Sequence, residues 1–193
     1  MASEDTFRTF LAIDPPEAVR REIGRIQEQL KRTVQGMIRW VRPEGIHLTL
    51  KFFGDITGEN ITRITDAVKP EAATATPMDM QVKTIGVFPD LNRPRVVWLG
   101  MAGDVDRLLT LQKALDRRFM ALGFPKEDRL FRAHLTLGRI KTAKGLIGLA
   151  RAIEQGAAME AGSFQARGLT LFKSDLKPAG AVYTKLAEFP FAG

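Results

Sequence analysis

Residues 47–54 read HLTLKFFG, and residues 134–140 read HLTLGRI. The shared tetrapeptide holds both histidines of the chain, His47 and His134, 87 positions apart. From average residue usage, Leu-Thr-Leu follows a given histidine by accident on the order of 1 time in 2000. Each copy alternates as a strand does, with side chains two positions apart on one face and about 7 Å apart along it. His47 therefore projects with Thr49, and His134 with Thr136. Leu48, Leu50, Leu135 and Leu137 take the other face, which helices can cover.

The segments around the two copies follow one order. In the first half Arg8–Asp14 (RTFLAID) reads as a strand. Asp14 is placed to cap a helix with Pro15 at its first position and Val19, Ile23, Ile26, Leu30 and Val34 at helical spacing, ended by Gly36. Met37–Val41 and the His47–Gly54 strand follow. Thr57 caps a second helix through Ile61, Ile64 and Val68 that Pro70 stops; Glu71–Pro77 reads as a loop break and Met78–Phe88 as a long strand. In the second half Arg95–Met101 is a strand. Asp104 caps a helix carrying Val105, Leu108, Leu111, Leu115, Phe119 and Leu122, and Gly123 ends it. The His134–Ile140 strand follows, then a shorter helix with Leu146, Leu149 and Ile153, and closing strands at Ser163–Phe172 and Val182–Phe191. The pattern predicts one bilobed α+β domain over residues 1–193, with an approximate repeat of 8–90 in 95–175 and two pseudo-symmetric lobes facing each other.

Composition narrows the chemistry. At 193 residues, 45% hydrophobic and 26% charged, the chain has the material for a packed core and is not a disordered sequence. It has no cysteine, which excludes disulfides, thiolate nucleophiles, iron–sulfur clusters and cysteine zinc sites. Two histidines so far apart, with no carboxylate cluster beside them, do not make a zinc site either, so neither metal nor cofactor is expected. No apolar run reaches the roughly 18 residues of a membrane span, and the acidic N-terminus shows no signal peptide, so a cytoplasmic location is expected. The net charge of +7 points to polyanions. Residues 101–150 alone carry a surplus of five positive charges, between Arg107 and Lys144 and around His134.

One imidazole and one hydroxyl from each lobe, gathered in a cleft, suit the opening of a cyclic phosphodiester. That reaction needs a base for water and an acid for the leaving oxygen, and histidine can serve as either at neutral pH. Threonine hydroxyls can donate to the non-bridging oxygens, and a nearby arginine can add charge-assisted bonds. Arg139 stands five positions after His134. Arg132 stands two before it, on the histidine's face if the strand begins that early. Lys51 has the parity of His47 and is a weaker candidate. Trp40 and Trp98 read as core.

The chain resembles the 2H phosphoesterase superfamily, and within it the RNA 2′,3′-cyclic phosphodiesterase branch, formerly called 2′-5′ RNA ligases. The match extends beyond the two motifs to RTFLAIDPP, WVRPEGIHLTLKFFGDI, GVFPDLNRPRVVWLG, FRAHLTLGRI and LTLFKSDLKPAGAVYTKL. The resemblance implies a bilobed fold in which two antiparallel sheets each present one motif to a central cleft. It implies metal-independent hydrolysis of RNA 2′,3′-cyclic ends to a 2′-phosphate, with RNA or an oligonucleotide as partner; a monomer is expected, though neither residues nor resemblance fix the oligomeric state. It makes His47 the proton donor and His134 the proton acceptor, with Thr49 and Thr136 on the phosphate oxygens and Arg139 on phosphate or the neighbouring nucleotide. The residues themselves do not say which histidine is which. The branch usually has proline before the second motif, where this chain has Ala133. Tyr183 and Phe10 could stack on a base, as aromatic residues do for single-stranded RNA, or pack in the core. The motifs leave open 2′-5′ ligation, a cyclic ADP-ribose phosphate substrate, or a non-catalytic module that binds RNA ends.

Overall fold

Alternation and helical periodicity place most of the elements. The computed structural model describes residues 5–127, 130–178 and 180–193. The strands are β1 (Thr6–Ile13), β2 (Ile38–Trp40), β3 (Leu48–Thr57), β4 (Met78–Phe88), β5 (Val96–Gly103), β6 (His134–Ile140), β7 (Glu160–Ala166), β8 (Gly168–Lys177) and β9 (Gly180–Pro190). The helices are α1 (Glu17–Thr33), α2 (Gly58–Thr74), α3 (Val105–Ala121) and α4 (Leu149–Gln155). α1 buries Val19, Ile23, Ile26 and Leu30, and α3 buries Leu108, Leu111, Leu115 and Phe119. Each of these side chains, removed from water, contributes about 1.5–3 kcal/mol before the entropy of ordering it is counted.

Several boundaries differ from the sequence reading. α1 begins at Glu17 behind Pro16, not at Pro15, and Asp14 does not cap it. Pro16 disfavours helical backbone at the residue before it, which moves the helix start past both prolines. α1 ends at Thr33, short of Gly36. Thr57 does cap α2, accepting a hydrogen bond from the Asn60 N–H. Pro70 does not stop that helix; it lies within it, and the turn through Thr74 is helical where a loop break was expected. Pro70 and Asp66, whose carbonyl loses its partner, are both exposed, so the lost bond falls on the solvent side. Asp104 precedes α3 without capping its backbone; its Oδ2 accepts from the Asp79 N–H instead. The expected closing strand Ser163–Phe172 is two strands, β7 and β8, in different sheets.

All pairings are antiparallel, in sheets of order β3-β1-β8-β9 and β2-β6-β5-β4-β7. The sheets do not follow the sequence halves. β4 leaves the first half to pair with β5, and β8 leaves the second to pair with β1. The three-strand units β3-β1-β8 and β6-β5-β4 thus match, each completed by a strand from the other half. Leu11, Ile13, Leu48 and Leu50 of one sheet, and Val97, Leu99, Leu135 and Leu137 of the other, join one hydrophobic cluster with the helices. The opposite face of the first sheet carries a separate small cluster of Phe10, Ala12 and Phe172, with Tyr183 against it.

Both motif strands bulge at the same place. Ala12 and Leu11 face Thr49 and Lys51, skipping Leu50. Trp98 and Val97 face Thr136 and Gly138, skipping Leu137. An extra residue in one strand resets the alternation beyond it. Lys51 is therefore turned into the core, where it is 4% exposed, and not onto the face of His47 as simple parity predicts. Phe52 returns to the histidine's face and packs on Phe10, and Arg139 returns to the face of His134.

Candidate active site

The two imidazoles are held alike. His47 Nδ1 lies 3.0 Å from the Gly45 carbonyl oxygen, and His134 Nδ1 lies 2.6 Å from that of Arg132. A carbonyl only accepts, so each Nδ1 carries the proton and donates, and each Nε2 is the end turned away from that backbone bond. In both cases the acceptor stands two residues upstream. A ring from an exchanged strand backs each imidazole: Phe172 of β8 is 4.5 Å from His47, and Phe88 of β4 is 5.0 Å edge-on to His134. The second motif strand is further pinned by α1, where the buried Gln27 Nε2 donates to the carbonyls of Val41 (2.7 Å) and Leu137 (2.9 Å).

Beyond this shared frame the two environments differ. Burial lowers the pKa of both histidines from the ordinary 6.5. At His47 the Asp14 carboxylate, with Oδ1 3.6 Å from Nε2, pushes back upward, aided by the Gly45 carbonyl and opposed by Arg20 and Lys185. Asp14 itself pairs with Arg20 and lies 3.7 Å from Lys185. At His134 the Arg132 carbonyl pushes up and the Arg139 guanidinium pushes down. One imidazole thus faces a carboxylate and the other a guanidinium.

The remaining sequence candidates fall around these two. Thr49 and Thr136 are half-buried on the histidines' faces. Arg139 is exposed, acts on His134 and also reaches Tyr183, which stands edge-on 5.2 Å from His47. Burial raises the Tyr183 pKa, and Arg139, Arg8 and Arg39 lower it. Tyr183 thus stands beside His47, and the charge of Arg139 is felt at both His134 and Tyr183. β6 begins at His134, so strand parity does not place Arg132; its guanidinium lies 5.9 Å over the Phe88 ring instead. Phe10 is 3% exposed, covered by Phe172, Phe52, Tyr183 and His47, and has no open face for a base. Trp40 packs against the core as expected. Trp98 does not: it lies on the face of His134, against Phe88 and over Gly86, where a Cβ would stand 2.2 Å from the indole. Asp14, Phe88 and Phe172 also belong to the site and were not among the sequence candidates. Asp14 carries the signal of a cap, and the two phenylalanines carry that of ordinary strand residues. Only the exchanged pairing of β4 and β8 brings those rings to the histidines.

The family model of LigT-like phosphoesterases matches this chain twice, over residues 13–98 and 99–183. A protein of Methanothermobacter thermautotrophicus named RNA 2′,3′-cyclic phosphodiesterase is 36% identical over 182 residues, 94% of this chain and 97% of its own. One of that name from Aquifex aeolicus is 30% identical over 187 residues, 96% of this chain and 98% of its own. Among solved structures, a Thermus thermophilus protein superposes with a TM-score of 0.77 at 27% identity, over 96% of this chain and 98% of that one. E. coli LigT complexed with 3′-AMP superposes at 0.78 with 23% identity, over 97% of this chain and 99% of that one, a likeness of fold.

Proposed function

This chain belongs to the LigT-like phosphoesterase family, and from that premise we propose how its two HLTL strands open a cyclic phosphodiester. It is a phosphodiesterase hydrolase of the kind its relatives are named for, acting on RNA 2′,3′-cyclic phosphate. The observation that carries the mechanism is the pair of imidazoles, each anchored through Nδ1, with His47 Nε2 beside the Asp14 carboxylate and His134 Nε2 without a hydrogen bond among the described residues.

His134 Nε2 accepts a proton from water as the water oxygen attacks phosphorus. The bond from phosphorus to O3′ breaks in line with the attack, and His47 Nε2 gives its proton to the departing O3′. The product is a 3′-hydroxyl beside a 2′-phosphate. One carboxylate beside His47, set against Arg20 and Lys185, and one guanidinium acting on His134 support this direction. Asp14 stabilises the protonated form of His47, and Arg139 favours the neutral form of His134. Thr49, Thr136 and Arg139 donate to the non-bridging oxygens, where charge is held in the transition state. Tyr183 offers its ring to the terminal base, and Arg132, at the rim, adds positive charge toward the backbone.

A side-by-side assay tests this reading. Adenosine 2′,3′-cyclic phosphate, a cyclic-ended oligoribonucleotide, a 2′-5′ dinucleotide and a cyclic ADP-ribose phosphate are incubated with EDTA-treated enzyme, and products are read by phosphorus NMR. The expected result is fastest turnover of the cyclic RNA ends to 2′-phosphates. A 3′-phosphate product reverses the assignment of the leaving oxygen, and loss of activity with EDTA ends the two-histidine mechanism.

The pH profile follows from the same site. kcat/KM reports the free enzyme. Burial places both imidazole pKa values below 6.5 there, so the optimum of kcat/KM is expected on the acid side of 6.5. A bound phosphate anion raises both values, so the kcat profile shifts to higher pH. A kcat/KM optimum above neutrality contradicts this.

A further inference from the structure

Arg39 of β2 and Arg139 of β6 are direct cross-strand partners. Ile38 and Trp40 flank Gly138 so closely that a Cβ there would lie 2.9 Å from Ile38 Cγ2 and 3.1 Å from Trp40 Cε3. These two side chains pack on the core, so Arg39, between them, points to the opposite face. That is the face of His134, Thr136 and, beyond the bulge, Arg139. Both arginines are exposed, and both act on the Tyr183 hydroxyl. Like charges directly opposite on a sheet repel. The ion pairs among the described residues engage Arg20, Arg25, Arg107 and Arg118, but neither Arg39 nor Arg139.

A repulsive pair left without a counterion at the mouth of an anion site suits a second anion. β2 is the edge strand of its sheet, so Arg39 stands at the open rim while Arg139 stands one strand further in. Neighbouring strands lie about 4.8 Å apart, and two flexible guanidinium groups at that spacing can hold successive phosphates of one nucleic-acid strand. We propose that Arg39 binds the phosphodiester preceding the cyclic end, making this enzyme prefer oligoribonucleotides to cyclic mononucleotides. The inference rests on the function proposed above and adds to it a subsite for a second phosphate.

The test compares wild type, Arg39→Gln and Arg39→Lys on adenosine 2′,3′-cyclic phosphate and on a trinucleotide with the same cyclic end. In parallel, binding of the trinucleotide 2′-phosphate is followed against salt concentration. Arg39→Gln is expected to lose about tenfold more kcat/KM on the trinucleotide than on the mononucleotide, as for one charge-assisted contact. Its slope of log affinity against log salt becomes shallower by about 0.7, the value for one phosphate of a single strand. Arg39→Lys keeps the wild-type slope, since the charge remains. Equal losses on both substrates, or a salt slope unchanged in Arg39→Gln, overturn the subsite. If wild type hydrolyses neither substrate, the proposed activity fails, and the salt slope decides the subsite by itself.

Discussion

His134→Ala is expected to lower turnover of an RNA 2′,3′-cyclic end by roughly 10² to 10⁴-fold, the usual worth of a positioned general base. The loss is expected on kcat more than on KM, because the residues proposed to hold the phosphate, Thr49, Thr136 and Arg139, remain. His134 is half-buried and its anchoring bond is to its own segment, at the Arg132 carbonyl, so thermal stability changes little. His47→Ala is expected to lose a similar factor, with a larger cost in stability. His47 is 9% exposed and packs against Phe172 and Tyr183, so its removal leaves a hole in the aromatic cluster. Single-turnover kinetics separate the two variants further. A leaving group that needs no proton, such as a nitrophenolate ester, should rescue the variant that lacks the acid, and the proposed roles make that His47→Ala. Rescue of His134→Ala in its place would exchange the roles, and full activity in both variants would remove the histidines from the mechanism.

Asp116→Ala is expected to carry a large stability loss from a single polar side chain away from the site. Lys51 is 4% exposed and Asp116 8%, and Lys51 Nζ stands 3.7 Å from Asp116 Oδ1. The ammonium also donates to the Pro125 carbonyl at 2.5 Å, and Gln112 Nε2 donates to Asp116 Oδ2 at 2.7 Å. Removing the carboxylate strands a buried positive charge, which costs about 3–5 kcal/mol. At roughly 2–4 °C per kcal/mol for a chain of this size, the melting midpoint drops by about 10 °C. Lys51→Met in the same background should recover most of the loss, because it removes the unpaired charge and keeps the volume. A melting curve for Asp116→Ala within a degree or two of wild type would mean that water reaches the pair.

What could be read from the chain, and what could not, divides along physical lines. The strand His134–Ile140 coincides with β6 residue for residue, because HLTL alternates cleanly and a loop precedes it. Thr57 as a cap and the buried faces of α1 and α3 follow from local chemistry and helical period. The bulges at Leu50 and Leu137 do not, since a bulge exists only relative to a partner strand. Parity alone therefore sends Lys51 to the wrong face, and it gives no hint of why Arg139, an odd number of positions from His134, shares its side. Asp14 looks like a helix cap in sequence; the second proline displaces the helix, and the carboxylate is left to face Arg20, Lys185 and His47. Ser163–Phe172 looks like one strand because Gly168 is the one local mark of the change of sheet after Ala166, and a glycine alone does not say that the chain leaves for another sheet.

The crossing of β4 and β8 between the halves also sets a timetable for synthesis. Phe10 pairs with Phe172, so the first sheet stays open on one side until almost the whole chain exists. At about 5–20 residues per second, the nascent β1 waits on the order of ten seconds for its partner. Pairings so distant in sequence also close slowly. The ring that backs His47 arrives on that late strand, whereas the ring that backs His134 is made before His134 itself. A chain truncated midway therefore leaves an unfilled sheet edge beside His47, and the proposed acid and base are both fully framed only once the final strands exist.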